Sequence, residues 1–145
     1  MTFYLTMLAA LVCALMAGIY FAFSVVVMPS LQRLGDEQGA RVMQQINRDI
    51  LRSLFMPLFW ASSLLCLVLL VSGQSALIMV AGAIYLVGML GVTALFNVPL
   101  NKQLEQARDF EIPTTWRHYL SRWQLFNHIR TVSATLSASL FVIVA

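Results

Sequence analysis

The sequence predicts an all-α integral membrane protein: a four-helix transmembrane bundle with an amphipathic interfacial helix in its first long loop and a long, cytoplasmically extended fourth helix. Three observations predict it. Only 10% of the 145 residues are charged, against about 25% in soluble domains. Mean hydropathy is +0.82. Four mainly apolar runs, Phe3 to Met28, Leu54 to Val71, Ala76 to Phe96 and Leu125 to Ala145, approach the roughly 20 residues a span requires. One membrane domain over residues 1–145 is expected, with helices near 3–28, 54–71, 76–96 and 114–145 and the interfacial helix near 31–52.

The first run lacks a positive leading segment and is too long for a signal-peptide core, so it reads as a retained transmembrane helix. Ala10, Ala14, Gly18 and Ala22 place a small residue at every fourth position, which lets membrane helices approach closely. In the loop that follows, Leu34, Val42, Met43, Ile46 and Ile50 recur at helical spacing, while Arg41, Arg48 and Arg52 share another face. Glu37 stands four residues before Arg41, the spacing of a helical ion pair. An amphipathic helix at the membrane surface follows, bounded by a turn at "LGDEQG". Asn47 borders its apolar face, either as a snorkelling polar side chain or as a site residue.

"SGQS" (Ser72 to Ser75) is a tight polar turn joining the second and third runs. Ala81, Gly88 and Gly91 give the third run a small-residue face, and such faces leave oligomerisation open. No Pro or Gly interrupts residues 114 to 145, and Pro113 with Thr114 and Thr115 supplies a helix start. At about 100° per residue, Trp116, Leu120, Trp123, Thr131, Ala134 and Ala138 fall within roughly 40° of Asn127. Arg130 lies about 60° away and His128 about 100°. Leu125, Ile129, Val132, Leu136, Leu140 and Ile143 fill the opposite, lipid-facing side. The polar arc with Asn127, His128 and Arg130 is therefore expected to turn inward, and His118 outward.

The charges set the topology. The net charge is +3 and the isoelectric point near 9.2, but all nine Lys and Arg lie between Arg33 and Arg130, within or beside the two long loops. That distribution marks sidedness and not a nucleic-acid patch: both long loops cytoplasmic, both termini outside, in a cell or plasma membrane. Cys13 and Cys66 sit in separate apolar runs, without metal-ligand spacing, and neither a metal nor another cofactor is expected. Polar and helix-breaking residues gather at the inner mouth. A site is expected there between Trp123, Asn127, His128 and Arg130 on one side and Asn97 and Asn101 on the other, with Asn47 as lid or floor.

These residues resemble the anthrone oxygenase-like family of small four-helix membrane proteins. The matching pieces are "GIYFAFSVVVMPSLQRL" (Gly18 to Leu34), "MQQIN" (Met43 to Asn47), "NVPLN" (Asn97 to Asn101) and "WRHYLSRWQLFNHIRT" (Trp116 to Thr131). The resemblance implies oxidation of anthrones to anthraquinones by molecular oxygen without metal, haem or flavin. It carries over to Trp123, His128 and Arg130, then to Asn97, Asn101 and Asn127. The chemistry needs a base, donors for a developing enolate and a dry slot for a flat ring. His128 suits the base, Arg130, Asn127 or Asn97 the donors, and Trp123 with Trp116 the stacking wall. A lipophilic substrate and oxygen both concentrate in the bilayer. A non-catalytic small-molecule carrier or accessory scaffold remains the alternative. A bis-histidine haem protein would need two inward histidines, and only His128 qualifies.

Overall fold

The computed structural model describes residues 2–145, and they are almost wholly helical: α1 (Thr2–Arg33), α2 (Asp36–Ile50), α3 (Phe55–Val71), α4 (Ala76–Gln106) and α5 (Ile112–Val144). A single 3-10 turn, Asp109–Glu111, precedes α5. Two tight connections rest on glycines with positive φ, Gly35 (+87°) between α1 and α2 and Gly73 (+63°) between α3 and α4, a conformation that glycine adopts without steric cost. Ser75 caps α4, its hydroxyl accepting from the Ile78 N–H.

α1 and α4 run past Met28 and Phe96, where the apolar runs were expected to end before helix-breaking prolines. Pro29 and Pro99 stand inside continuous helices, and each follows a π-helical stretch, Phe23–Val27 and Thr93–Asn97. A helical proline lacks its N–H and clashes with the carbonyl four residues back. The wider π turn relieves both. α4 carries a second such stretch, Leu86–Gly91. The helices thus continue to Arg33 and Gln106, reaching the charged loops.

By length and composition α1 and α4 are apolar enough to cross a membrane. α2 and α3 pass the same test only as a pair, bent by 62° at the break between them. α3 alone has 17 residues, short of the roughly 20 that a span needs. α5 does not qualify, because Asn127, His128, Arg130 and several serines dilute its apolar run.

The long helices pack antiparallel. Cys13 Sγ of α1 meets Cys66 Sγ of α3 at 3.5 Å, and the Tyr85 hydroxyl of α4 donates to Ser62 Oγ of α3 at 2.7 Å. Ser137 of α5 donates to the Ala81 carbonyl of α4 at 2.8 Å. Small residues set the spacing between α4 and its neighbours: a Cβ on Gly82 would meet the Cys66 carbonyl at 2.7 Å, and one on Gly88 would overlap Ser133. On α1 the small residues divide. Ala10 is buried, whereas Ala14, Gly18 and Ala22 are exposed, and Ala14 and Gly18 border an open groove against Thr135, Ala138 and Ser139 of α5.

Two cores result. One, among α1, α3, α4 and α5, contains Met16, Tyr85, Met89 and Phe141. The other lies at the loop end and joins Met28, Met43, Leu104, Trp116, Tyr119 and Trp123. α2 closes the second core: Met43 is buried, and Gly39 passes so near α1 that a Cβ would lie 2.5 Å from the Leu31 carbonyl. Exposed ion pairs join it to its neighbours, Arg48 to Glu105 (2.7 Å), Arg117 to Asp36 (2.7 Å) and Arg41 to Asp109 (3.3 Å), while Arg41 also pairs with Glu37 within α2 (3.0 Å). Glu37, then Asp109, raise the Arg41 guanidinium above its ordinary pKa by hydrogen bonding.

Candidate functional site

Between the two cores lies a cavity of about 230 Å³, larger than the roughly 150 Å³ void that accepts one benzene ring. Every helix contributes to it. α1 supplies Tyr20 and Phe23, α2 Met43, Ile46 and Asn47, and α3 Phe55, Phe59 and Trp60; α4 adds Thr93, Asn97 and Asn101, and α5 Trp123 and Arg130. Its lining includes the exposed residues Leu51, Trp60, Ala94 and Val98. They mark a mouth between α3 and α4 beside the bend that joins α2 to α3.

Arg130 is the centre of the site. It is only 5% exposed, and among the described residues no carboxylate lies within ion-pair distance. Its guanidinium sits 4.4 Å from the centroid of the Tyr20 ring and 5.1 Å from that of Trp123, so two aromatic faces stabilise it in place of an acid. Nη2 donates to Asn127 Oδ1 at 2.7 Å and Nη1 to Thr93 Oγ1 at 3.4 Å. Nε has no partner.

Asn127 orients this arginine from behind. Its Nδ2 donates to the Tyr20 carbonyl and to Ser24 Oγ, both at 2.8 Å. With both amide hydrogens engaged, Oδ1 is left to face Arg130, which fixes the sense of the amide. Trp123 is held in the same manner: its Nε1 donates to Asn101 Oδ1 at 2.9 Å, which also accepts from the Tyr119 hydroxyl at 2.8 Å. Asn97 Nδ2 reaches the Trp123 carbonyl at 3.5 Å. Trp116, Tyr119 and Trp123 form a column of near-parallel rings 5.6 and 5.9 Å apart.

The π-helical stretches fall at this level of the fold. They place Phe23 and Ser24 on α1, and Thr93 and Asn97 on α4, within reach of the polar arc of α5. Extra-wide turns of this kind recur at functional sites because they re-aim side chains that a regular helix would direct elsewhere.

A family model described as anthrone oxygenase matches residues 48–140, nearly two thirds of the chain. The chain belongs to the anthrone oxygenase family. No curated protein and no solved structure matches it. The family match contains "NVPLN" and the polar arc of α5, but begins one residue after Asn47 and leaves out Tyr20, Phe23 and Ser24 of α1.

Of the residues singled out from the sequence, the structure brings Asn47, Asn97, Asn101, Trp123 and Arg130 together around the cavity. Asn127 stands behind Arg130 and does not line the cavity. Trp116 is fully buried in the loop-end core and forms no wall of it. His128 is a correction. Expected to face inward, it is exposed and takes no part in the cavity. The reason is angular. The buried residues of α5, including Trp116, Tyr119, Trp123, Arg130, Ser137 and Phe141, centre about 40° to the Arg130 side of Asn127, which leaves His128 about 140° from the middle of the arc. His118, expected outward, is also exposed.

Tyr20 and Thr93 were missed. Tyr20 lies four residues before Ser24 and seven after Cys13, on the buried face of α1, so its helical spacing carried a signal that attention to small residues obscured. Among the described residues no three His, Cys, Asp or Glu side chains converge as a metal-binding group would.

Proposed function

We propose that this member of the family is a four-span membrane oxygenase that oxidises a flat, lipophilic keto-phenol with molecular oxygen inside the cavity. The observation that carries the reading is Arg130, a buried cation without a counter-ion set among aromatic rings in an apolar chamber. Charge at such depth is expensive and is retained for function. A planar anion stacked on Trp123 would recover the lost solvation, and Arg130 would stabilise the enolate oxygen as charge develops there.

The substrate's ring methylene is acidic because its anion is aromatic. That carbanion passes an electron to oxygen, the two radicals combine, and loss of water gives the quinone. Per turnover one CH₂ and one O₂ yield one C=O and one H₂O, so the substrate supplies all four electrons and no metal, flavin or external reductant enters the balance. A mouth at the level of the apolar helices suits a substrate and oxygen that both partition from lipid. The charged loops support the orientation in which they are cytoplasmic and both termini outside.

The test is isotopic. Protein in lipid nanodiscs receives anthrone under ¹⁸O₂, and product is compared with that from empty nanodiscs. One ¹⁸O per quinone, formed faster than in the empty discs and unchanged by a chelator, is the expected result. No excess over empty discs would sink the oxygenase reading. It would favour the second one, a non-catalytic carrier, which the lack of a carboxylate or imidazole in the cavity wall also supports.

A further inference from the structure

Five buried side-chain polar atoms have no hydrogen-bond partner among the described residues: Tyr20 Oη, Asn47 Nδ2, Asn97 Oδ1, Trp116 Nε1 and Arg130 Nε. Four of them belong to residues that line the cavity. Folded proteins leave few such groups unmet, and each requires a cause. Two of the four share one corner. Tyr20 is 2% exposed and Arg130 5%, their side chains are stacked, and the Tyr20 hydroxyl lies near enough to Arg130 and Thr93 to interact weakly with both, while closing no hydrogen bond of full geometry to either.

We propose that Tyr20 and Arg130 form a two-donor oxyanion site, and that the cavity takes its ligand as an aromatic enolate or phenolate. This rests on the cavity being the substrate site. The charge inventory favours an anion. Among the described residues, Tyr20 and Arg130 are the only ionisable ones in the cavity wall. Around the guanidinium, α1 offers Tyr20, α4 Thr93, and α5 Trp123 and Asn127; α2 and α3 bring no ionisable side chain to the wall. The Tyr119 hydroxyl of α5 is committed to Asn101. The bound anion is thus the counter-ion the fold leaves out, and the Nε–H and Oη–H are the donors left free for it.

No general base is then required of the protein. The ligand's O–H bond, or its acidic ring C–H bond, breaks. The electron pair stays on the ligand, delocalised onto the oxygen that faces Tyr20 and Arg130, and the proton passes to water at the mouth. Tyr20 contributes the second hydrogen bond in a place where water does not compete.

The experiment uses 2-hydroxyanthraquinone, a flat phenol already oxidised and coloured differently as its anion. Its ionisation is followed by absorbance in nanodiscs holding the full-length protein, against empty nanodiscs. The expected midpoint is at least about one pH unit below that in empty discs, a tenfold preference for the anion. Tyr20→Phe should reverse part of the shift and Arg130→Gln most of it, with Arg130→Lys retaining an intermediate shift. Variant folding is checked by far-ultraviolet circular dichroism. An unshifted or raised midpoint, absence of binding, or a Tyr20→Phe shift equal to wild type overturns the proposal. Oxygen uptake from anthrone on the same preparations separates the two readings. Uptake with an unshifted midpoint removes the anion site and leaves the oxygenase, and a shifted midpoint without uptake does the reverse.

Discussion

Arg130 is held in a fixed attitude from behind by Asn127, which does not line the cavity. Asn127 spends both amide hydrogens on α1, at the Tyr20 carbonyl and Ser24, so its oxygen is available only to the guanidinium. Asn127→Ala should therefore cost about 1–3 kcal/mol, since it leaves buried groups on α1 and α5 unpaired. Asn127→Asp is sharper. A carboxylate there would neutralise Arg130 internally, so the folded variant should lose phenolate binding, a difference read by titrating the chromogenic phenol. His128→Ala should leave turnover within about twofold of wild type, because His128 is exposed and outside the cavity. Complete loss of turnover in the folded variant would return it to the base role. The periodicity of α5 was legible, yet taking Asn127 as the centre of its inward arc displaced the frame by about 40°, enough to misplace a residue at the edge. Periodicity fixes relative angles only; the absolute frame comes from the bulky residues that pack.

At the scale of the elements, prolines and glycines decide where the helices bend and how closely they meet. Pro29 and Pro99 read as breakers in sequence, but π turns absorb both and the helices continue. Sequence patterns do not distinguish a proline that ends a helix from one that a wider turn accommodates. The small-residue face of α4 was legible and carries packing at Ala81 and Gly88, the latter against Ser133 of α5, whereas a Cβ on Gly91 would meet only the Leu86 carbonyl of its own helix. Gly88→Ala should destabilise the protein by about 1–3 kcal/mol through overpacking, measured as a lower unfolding midpoint in detergent. Gly18→Ala is the control. A Cβ there meets nothing within 4 Å, so stability should be unchanged or slightly raised, Ala being the better helix former. Equal destabilisation by both changes would mean that the α4–α5 contact is looser than the structure has it.

For the whole molecule, α2 has the largest consequence. Its sequence reads as an amphipathic helix at a membrane surface, and its apolar residues Met43, Ile46 and Ile50 do share a face. That face closes the cavity and joins the loop-end core. Amphipathicity alone cannot separate packing on protein from lying on lipid, because both bury one side. Tyr20 escaped notice for a related reason: in a mainly apolar helix its spacing with Cys13 and Ser24 marks a buried face, but not a site until a partner helix supplies the polar group. Topology is testable independently. A reporter after Ala145 should be external and one inserted at 107–108 cytoplasmic, and the reverse pattern would invert the orientation without altering the site. The most direct measurement is the rate of anthrone oxidation in air by nanodisc-embedded wild type and by a folded Arg130→Met variant, each corrected for empty discs. Loss of a principal electrostatic stabiliser of this kind typically lowers the rate about 10²–10³-fold, and that is the expected result. Equal rates in the two proteins would contradict it.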